Sequence, residues 1–175
     1  MKRLILAVTL ATTLAATLVT PVAAQTVIIV RHAEKADQGT DPVLSDPGEA
    51  RAAALAETLA GAGVTNVFVS PLQRTSLTAR PSAVAAGAET VAVSLDGGSA
   101  AHAARLVGQV RQLSPEAVVL VVGHSNTVPD IARALGASDA AAMDECEYDR
   151  LTVLTLTPTG AHAVTGRYGA PNPPC

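Results

Sequence analysis

Continuous apolar runs of four to seven residues alternate along the chain with Ala-rich stretches carrying charges at helical spacing. That alternation predicts strand, helix, strand in succession and hence an α/β domain with a largely parallel sheet. Thr26 to Val30 reads as the first strand. A polar loop from Ala36 to Ser45 follows, and Ser45 or Asp46 can cap a helix that carries Pro47 and Glu49 in its first turn and runs to about Gly61. Val64 to Val69 predicts a second strand, Leu72 to about Ala86 a helix that Pro81 should kink or shorten, Thr90 to Val93 a third strand, and Ser99 to Leu113 a third helix. Ala117 to Val122 is the most continuously apolar run, which predicts a central strand buried on both faces. A helix from Asn126 to Leu135 stops at Gly136, and an Ala/Asp-rich segment, Ala137 to Asp149, comes next. Leu151 to Thr157 alternates as a strand wetted on one side, and Gly160 should turn the chain into a last short strand near Ala163 to Tyr168.

The N-terminus has a different pattern. Lys2-Arg3, an apolar stretch from Leu4 to Val19 and then Pro21-Val22-Ala23-Ala24 read as the basic, apolar and small-residue parts of a signal peptide, with cleavage expected after Ala24. Residues 25–175 should then form a single domain, exported to a periplasmic or extracellular compartment and without a stable membrane anchor. The stretch is rich in Thr and Ala and short for a span of ~20 residues, and no Cys follows it to take a lipid. The whole chain carries a net charge of −3; losing Lys2 and Arg3 leaves ten basic residues against 15 acidic ones, or −5. An acidic domain with no basic cluster is a poor nucleic-acid binder. Cys146 and Cys175 are the two cysteines, and in an oxidising compartment a bridge would pin the Pro-rich tail to the body; two free thiols, or Cys175 pairing with another chain, are the competing readings.

Arg31-His32 directly follows the first strand, and His124 lies just past the end of the fourth. Ligands of open α/β sheets collect outside the carboxyl ends of the strands, so both histidines are expected at one site. Arg74, just past the second strand, belongs to the same rim. Two guanidinium groups suit a phosphoryl group better than a neutral substrate, and nearby cations keep an imidazole unprotonated and able to attack phosphorus.

Four motifs carry a resemblance: Val30-Arg31-His32-Ala33-Glu34-Lys35, Leu44-Ser45-Asp46-Pro47-Gly48-Glu49-Ala50-Arg51-Ala52, Ser70-Pro71-Leu72-Gln73-Arg74-Thr75-Ser76-Leu77-Thr78-Ala79 and Gly123-His124-Ser125. In this order and spacing they resemble the histidine phosphatase superfamily. The resemblance implies a phosphoglycerate-mutase-like fold, a three-layer α/β/α sandwich with a mostly parallel central sheet. It further implies a metal-independent phosphoric monoester hydrolase that needs no cofactor. His32 would be the nucleophile that becomes phosphohistidine, Arg31, Arg74 and His124 would hold the phosphoryl oxygens, and water would release phosphate. In one branch of the family the general acid comes from the region after the third strand, which points to Asp96; in the other an Asp follows the second histidine, where this chain has Ser125-Asn126. Glu34, two residues from the nucleophile, is the rival to Asp96, which equally fits an ordinary turn residue before two glycines. Arg51, Ser45, Gly48, Thr75 and Thr78 read as structural, as do His102 and His162.

The expected substrate is a phosphorylated small molecule, glycan or protein. A mutase is disfavoured by the export signal. Two other functions compete. A non-catalytic phosphate-binding domain would keep the pocket without turnover. A serine hydrolase could be built on Gly123-His124-Ser125-Asn126-Thr127 with Ser125 as nucleophile and Asp149 and His162 as partners, although Thr127 stands where the elbow motif needs glycine.

Overall fold

A computed structural model describes residues 24–172 and 174–175; most of the signal-peptide segment lies outside the described residues. Six strands form one sheet in the order β3-β2-β4-β1-β5-β6. They are β1 (Gln25–Arg31), β2 (Asn66–Val69), β3 (Glu89–Ala92), β4 (Val118–Gly123), β5 (Arg150–Thr157) and β6 (Gly160–Arg167), with helices α1 (Asp46–Thr58), α2 (Gln73–Ala86), α3 (Gly98–Val110) and α4 (Thr127–Ala134). The first four strands run parallel, whereas β5 pairs antiparallel with β1 and continues into the β5–β6 hairpin.

The sheet is covered on both faces, as its strand sequences require. In β1, Val27 and Ile29 face one layer and Ile28 and Val30 the other; in β4, Val119 and Val121 alternate in the same way with Leu120 and Val122. One side packs against α3 and α4 through Leu106, Val110, Val128 and Ile131. The opposite side packs against Leu55 of α1 and Ala79 and Ala83 of α2. This is the expected three-layer α/β/α sandwich. β4, the most apolar run, lies between β2 and β1, while β3 is an exposed edge strand.

Ser45 provides the cap of α1, its Oγ accepting the Gly48 amide at 3.3 Å. Pro81 does not shorten α2, which continues to Ala86 and closes on Gly87 in the left-handed region at φ 63°. The last strand is longer than its sequence suggests. Thr157 pairs with Gly160, so Pro158 and Thr159 make the turn and Gly160 already belongs to β6.

Candidate active site

Parallel pairing in register builds the site. Arg31 at the end of β1 lies beside Gly123 at the end of β4, and the His32 amide donates to the Gly123 carbonyl at 2.8 Å. The next residue of each strand is therefore a histidine on the same rim, and the two rings meet edge to face with centroids 5.2 Å apart. Gly123 is needed for this approach, since a Cβ there would come within 2.8 Å of Thr127 Oγ1, the atom that accepts the His124 amide. Arg74 arrives from the first turn of α2. Thr78, one turn further, donates to the Arg74 carbonyl at 2.8 Å and accepts the Ala33 amide at 2.9 Å, which fixes α2 against the segment that follows β1.

These side chains line a cleft of about 350 Å³, together with Lys35, Leu72, Leu95, Gly98, Ser99, Ser125, Asn126, Thr127 and Glu145. His32 is buried. Its Nδ1 lies 2.8 Å from the Ala33 carbonyl, an oxygen that can only accept, so Nδ1 carries the proton and Nε2 keeps the lone pair. Burial holds the ring neutral by lowering its pKa to about 3; the Ala33 carbonyl opposes this, and His124, Arg31 and Arg74 add to it. Burial, with Arg74, His102 and Arg31 behind it, likewise lowers His124 to about 4. His124 Nε2 is 2.9 Å from the buried Ser70 Oγ, which also contacts Thr75 Oγ1 and accepts the Leu72 amide.

Arg31 is fully buried. Its Nη1 donates to the carbonyls of Asp144, Glu145 and Glu147, its Nη2 to the Glu145 carboxylate at 3.0 Å, and its guanidinium lies 4.2 Å above the Tyr148 ring. Arg74 faces Asp41 at 3.6 Å. Among the described residues, three buried guanidinium donors have no hydrogen-bond acceptor: Nε of Arg31, and Nε and Nη1 of Arg74. Orphaned buried donors of this kind are costly, and an oxyanion beside the two rings would satisfy them.

The structure thus brings together Arg31, His32, Arg74 and His124, and places the two expected acids elsewhere. Glu34 does not line the cleft; both its oxygens are held by Arg51, whose Nη2 donates at 2.7 Å and Nε at 3.0 Å. Asp96 flanks the rim without lining it, and its carboxylate accepts from Ser94 Oγ at 2.7 Å. Sequence reading missed Glu145, Tyr148 and any role for Ser70, although Ser70 stands at the end of β2, where functional side chains are expected. The serine-hydrolase constellation does not form. Ser125 Oγ donates to Glu145 at 2.6 Å, Asp149 is held by Arg167 and Asn172, and His162 pairs with Thr155 toward the opposite end of the sheet.

Cys146 and Cys175 are joined, with Cα atoms 5.4 Å apart, so the bridge closes the segment that wraps Arg31. Among the described residues, no group of three or more His, Cys, Asp or Glu side chains converges as a metal-binding cluster.

The family model of the histidine phosphatase superfamily (branch 1) matches residues 27–96. Among solved structures, the protein histidine phosphatase SixA complexed with tungstate superposes with a TM-score of 0.61 at 22% identity, covering 82% of this chain and 95% of that one. A mycobacterial glucosyl-3-phosphoglycerate phosphatase gives 0.61 at 17% identity, covering 83% and 98%. Phosphoserine phosphatase from Entamoeba histolytica, in complex with 3-phosphoglyceric acid, gives 0.61 at 18% identity, covering 84% and 98%. At these identities the likeness is one of fold. No curated protein matches the chain significantly.

Proposed function

From the match of residues 27–96 to the histidine phosphatase superfamily and the geometry of the cleft, we propose that the chain is an exported phosphatase of that superfamily, hydrolysing a phosphomonoester through a phosphohistidine on His32. The observation that carries this reading is the His32 ring itself, neutral, with Nδ1 tied to the Ala33 carbonyl and Nε2 left as the nucleophilic nitrogen. In the first half-reaction the Nε2 lone pair forms the N–P bond while the P–O bond to the leaving group breaks. Arg31 Nε, Arg74 Nε and Nη1, and His124 take the non-bridging oxygens, whose charge they stabilise in a site built before the substrate arrives. In the second, water attacks phosphorus, the N–P bond returns its electron pair to Nε2, and phosphate leaves. These donors supply the charge stabilisation from side chains alone, so turnover is proposed to need no metal.

The cleft is polar and open, and it lacks an aromatic platform. Phe68, Tyr148 and Tyr168, the only aromatic residues in the chain, are all buried. Selectivity for a base or sugar by stacking is therefore not expected, and a phosphorylated small molecule, glycan or protein side chain is gripped mainly by its phosphoryl group. A phosphate-binding domain without turnover would share the orphaned donors; it would differ in never modifying His32.

The test is phosphate release from an aryl phosphate by the protein without residues 1–24, with chelator present, beside His32→Ala. Turnover that disappears in the variant supports the reading. A folded protein that binds phosphate and releases none from any monoester would replace it with the binding role.

A further inference from the structure

The mechanism above leaves the departing oxygen in need of a proton, and neither Glu34 nor Asp96 reaches the cleft. One carboxylate does line it. Glu145 stands on the segment between α4 and β5, with Oε1 2.6 Å from Ser125 Oγ and Oε2 3.0 Å from Arg31 Nη2. Its placement combines a fixed backbone with a solvent-exposed head. The backbone around it is clamped by Arg31 Nη1 on the carbonyls of residues 144, 145 and 147, and Cys146 next to it is bridged to Cys175. The side chain itself remains 83% exposed, where it exchanges protons with solvent.

We propose that Glu145 is the acid and base of the reaction, an assignment that rests on the phosphatase reading. As His32 Nε2 bonds to phosphorus, the Glu145 carboxyl gives its proton to the leaving oxygen and becomes a carboxylate. In the second half-reaction that carboxylate takes a proton from the attacking water, the N–P bond breaks toward Nε2, and the carboxyl is restored. The sum is ester plus water giving alcohol plus phosphate, with no other reactant.

The neighbours of Glu145 account for the change of protonation state on which this depends. In the free protein Ser125, Arg31 and Lys35 hold its carboxyl below the ordinary range against a smaller effect of burial. A dianionic phosphoryl group beside Arg31 shares that cation and adds negative charge within the same cleft. Both effects favour the protonated carboxyl.

Leaving-group dependence tests the assignment. Wild type, Glu145→Gln and Glu145→Asp are compared on p-nitrophenyl phosphate, whose leaving group departs without help, and on glycerol phosphate, whose alkoxide does not. For Glu145→Gln, kcat/KM on glycerol phosphate should fall by roughly 10²- to 10³-fold, the usual worth of a positioned acid. On p-nitrophenyl phosphate the loss in kcat/KM, which ends with phosphohistidine formation and needs no acid there, should be smaller by about tenfold or more, while kcat should fall because the attacking water has lost its base. Glu145→Asp should recover part of the glycerol phosphate activity. Equal losses in kcat/KM on both substrates would overturn the proposal and make Glu145 a positioning residue for Arg31; no loss, or a gain on both, would also overturn it. If wild type turns over neither substrate, or His32→Ala matches wild type, the phosphatase reading itself has failed, and this assignment with it.

Discussion

Replacing Glu34 by Gln separates a structural carboxylate from a catalytic one. Arg51 is buried on α1, and its guanidinium is spent on Glu34 and on the carbonyls of Tyr168 and Ala170, at 3.2 and 2.9 Å. Burial alone would lower the Arg51 pKa; the Glu34 carboxylate, with Tyr168 and Asp149 behind it, more than offsets this and raises it. The amide retains the shape but removes the charge, so the cation stays buried without its partner. Breaking a buried pair in this way costs about 3–5 kcal/mol. At roughly 2–4 °C per kcal/mol for a domain of this size, the melting temperature should fall by about 6–20 °C. The assay is urea denaturation beside turnover of glycerol phosphate, whose alkoxide needs a proton to leave, the latter measured at low temperature where the variant is folded. A lower urea midpoint with kcat within about threefold of wild type is expected, since Glu34 lies off the cleft. The double variant Glu34→Leu with Arg51→Met should lose less than the two single changes combined, because it leaves no unpaired charge. An unchanged midpoint with turnover reduced by about 100-fold or more would instead give Glu34 the role of acid.

Two further predictions rest on the histidines and on the disulfide. His32 and His124 titrate at about 3 and 4 when folded and near 6.5 when unfolded. Below pH 6.5 the unfolded chain therefore binds protons that the folded one refuses, and stability falls with a limiting slope of about 1.4 kcal/mol per pH unit for each histidine. Between pH 6.5 and 5 this loss precedes that from Glu145 and Glu147, whose depressed pKa values act below the ordinary carboxylate range; urea midpoints should show a shallower slope in His124→Gln, and an identical slope would contradict the assignment. Removing both cysteines as Cys146→Ser with Cys175→Ser opens a closure spanning a sequence separation of 29 residues, for which chain entropy gives roughly 3.5 kcal/mol. Because the bridge adjoins the carbonyls that hold Arg31, KM should rise alongside; a variant as stable as wild type with the same KM would show that the bridge supports neither.

The rim that carries the candidate site was readable because it depends on local pattern. Apolar runs located β1 and β4, and a histidine follows each. Arg74 was readable for the same reason, standing just past β2. What could not be read depends on contacts between distant segments that have no periodicity. Glu145 meets Arg31 across 114 residues, from a segment whose sequence shows only Ala and Asp enrichment. The Glu34–Arg51 pair depends on how α1 docks onto the loop after β1, where a Cβ on Gly48 would fall 2.2 Å from the Glu34 carbonyl oxygen. That close approach helps place Arg51 on Glu34, whereas proximity in sequence to His32 had suggested a catalytic role. Pro81 misled in the opposite direction, since the contacts of α2 with α1 and the sheet hold the helix together through it.

Whether His32 carries the phosphoryl group is decided by rapid quenching into alkali during turnover, followed by peptide mapping. One acid-labile, alkali-stable phosphate is expected on the peptide containing His32, absent in His32→Ala and formed at a rate at least equal to kcat. Steady turnover with no phosphate on that peptide at any time, or with the label on another residue, would contradict that role for His32.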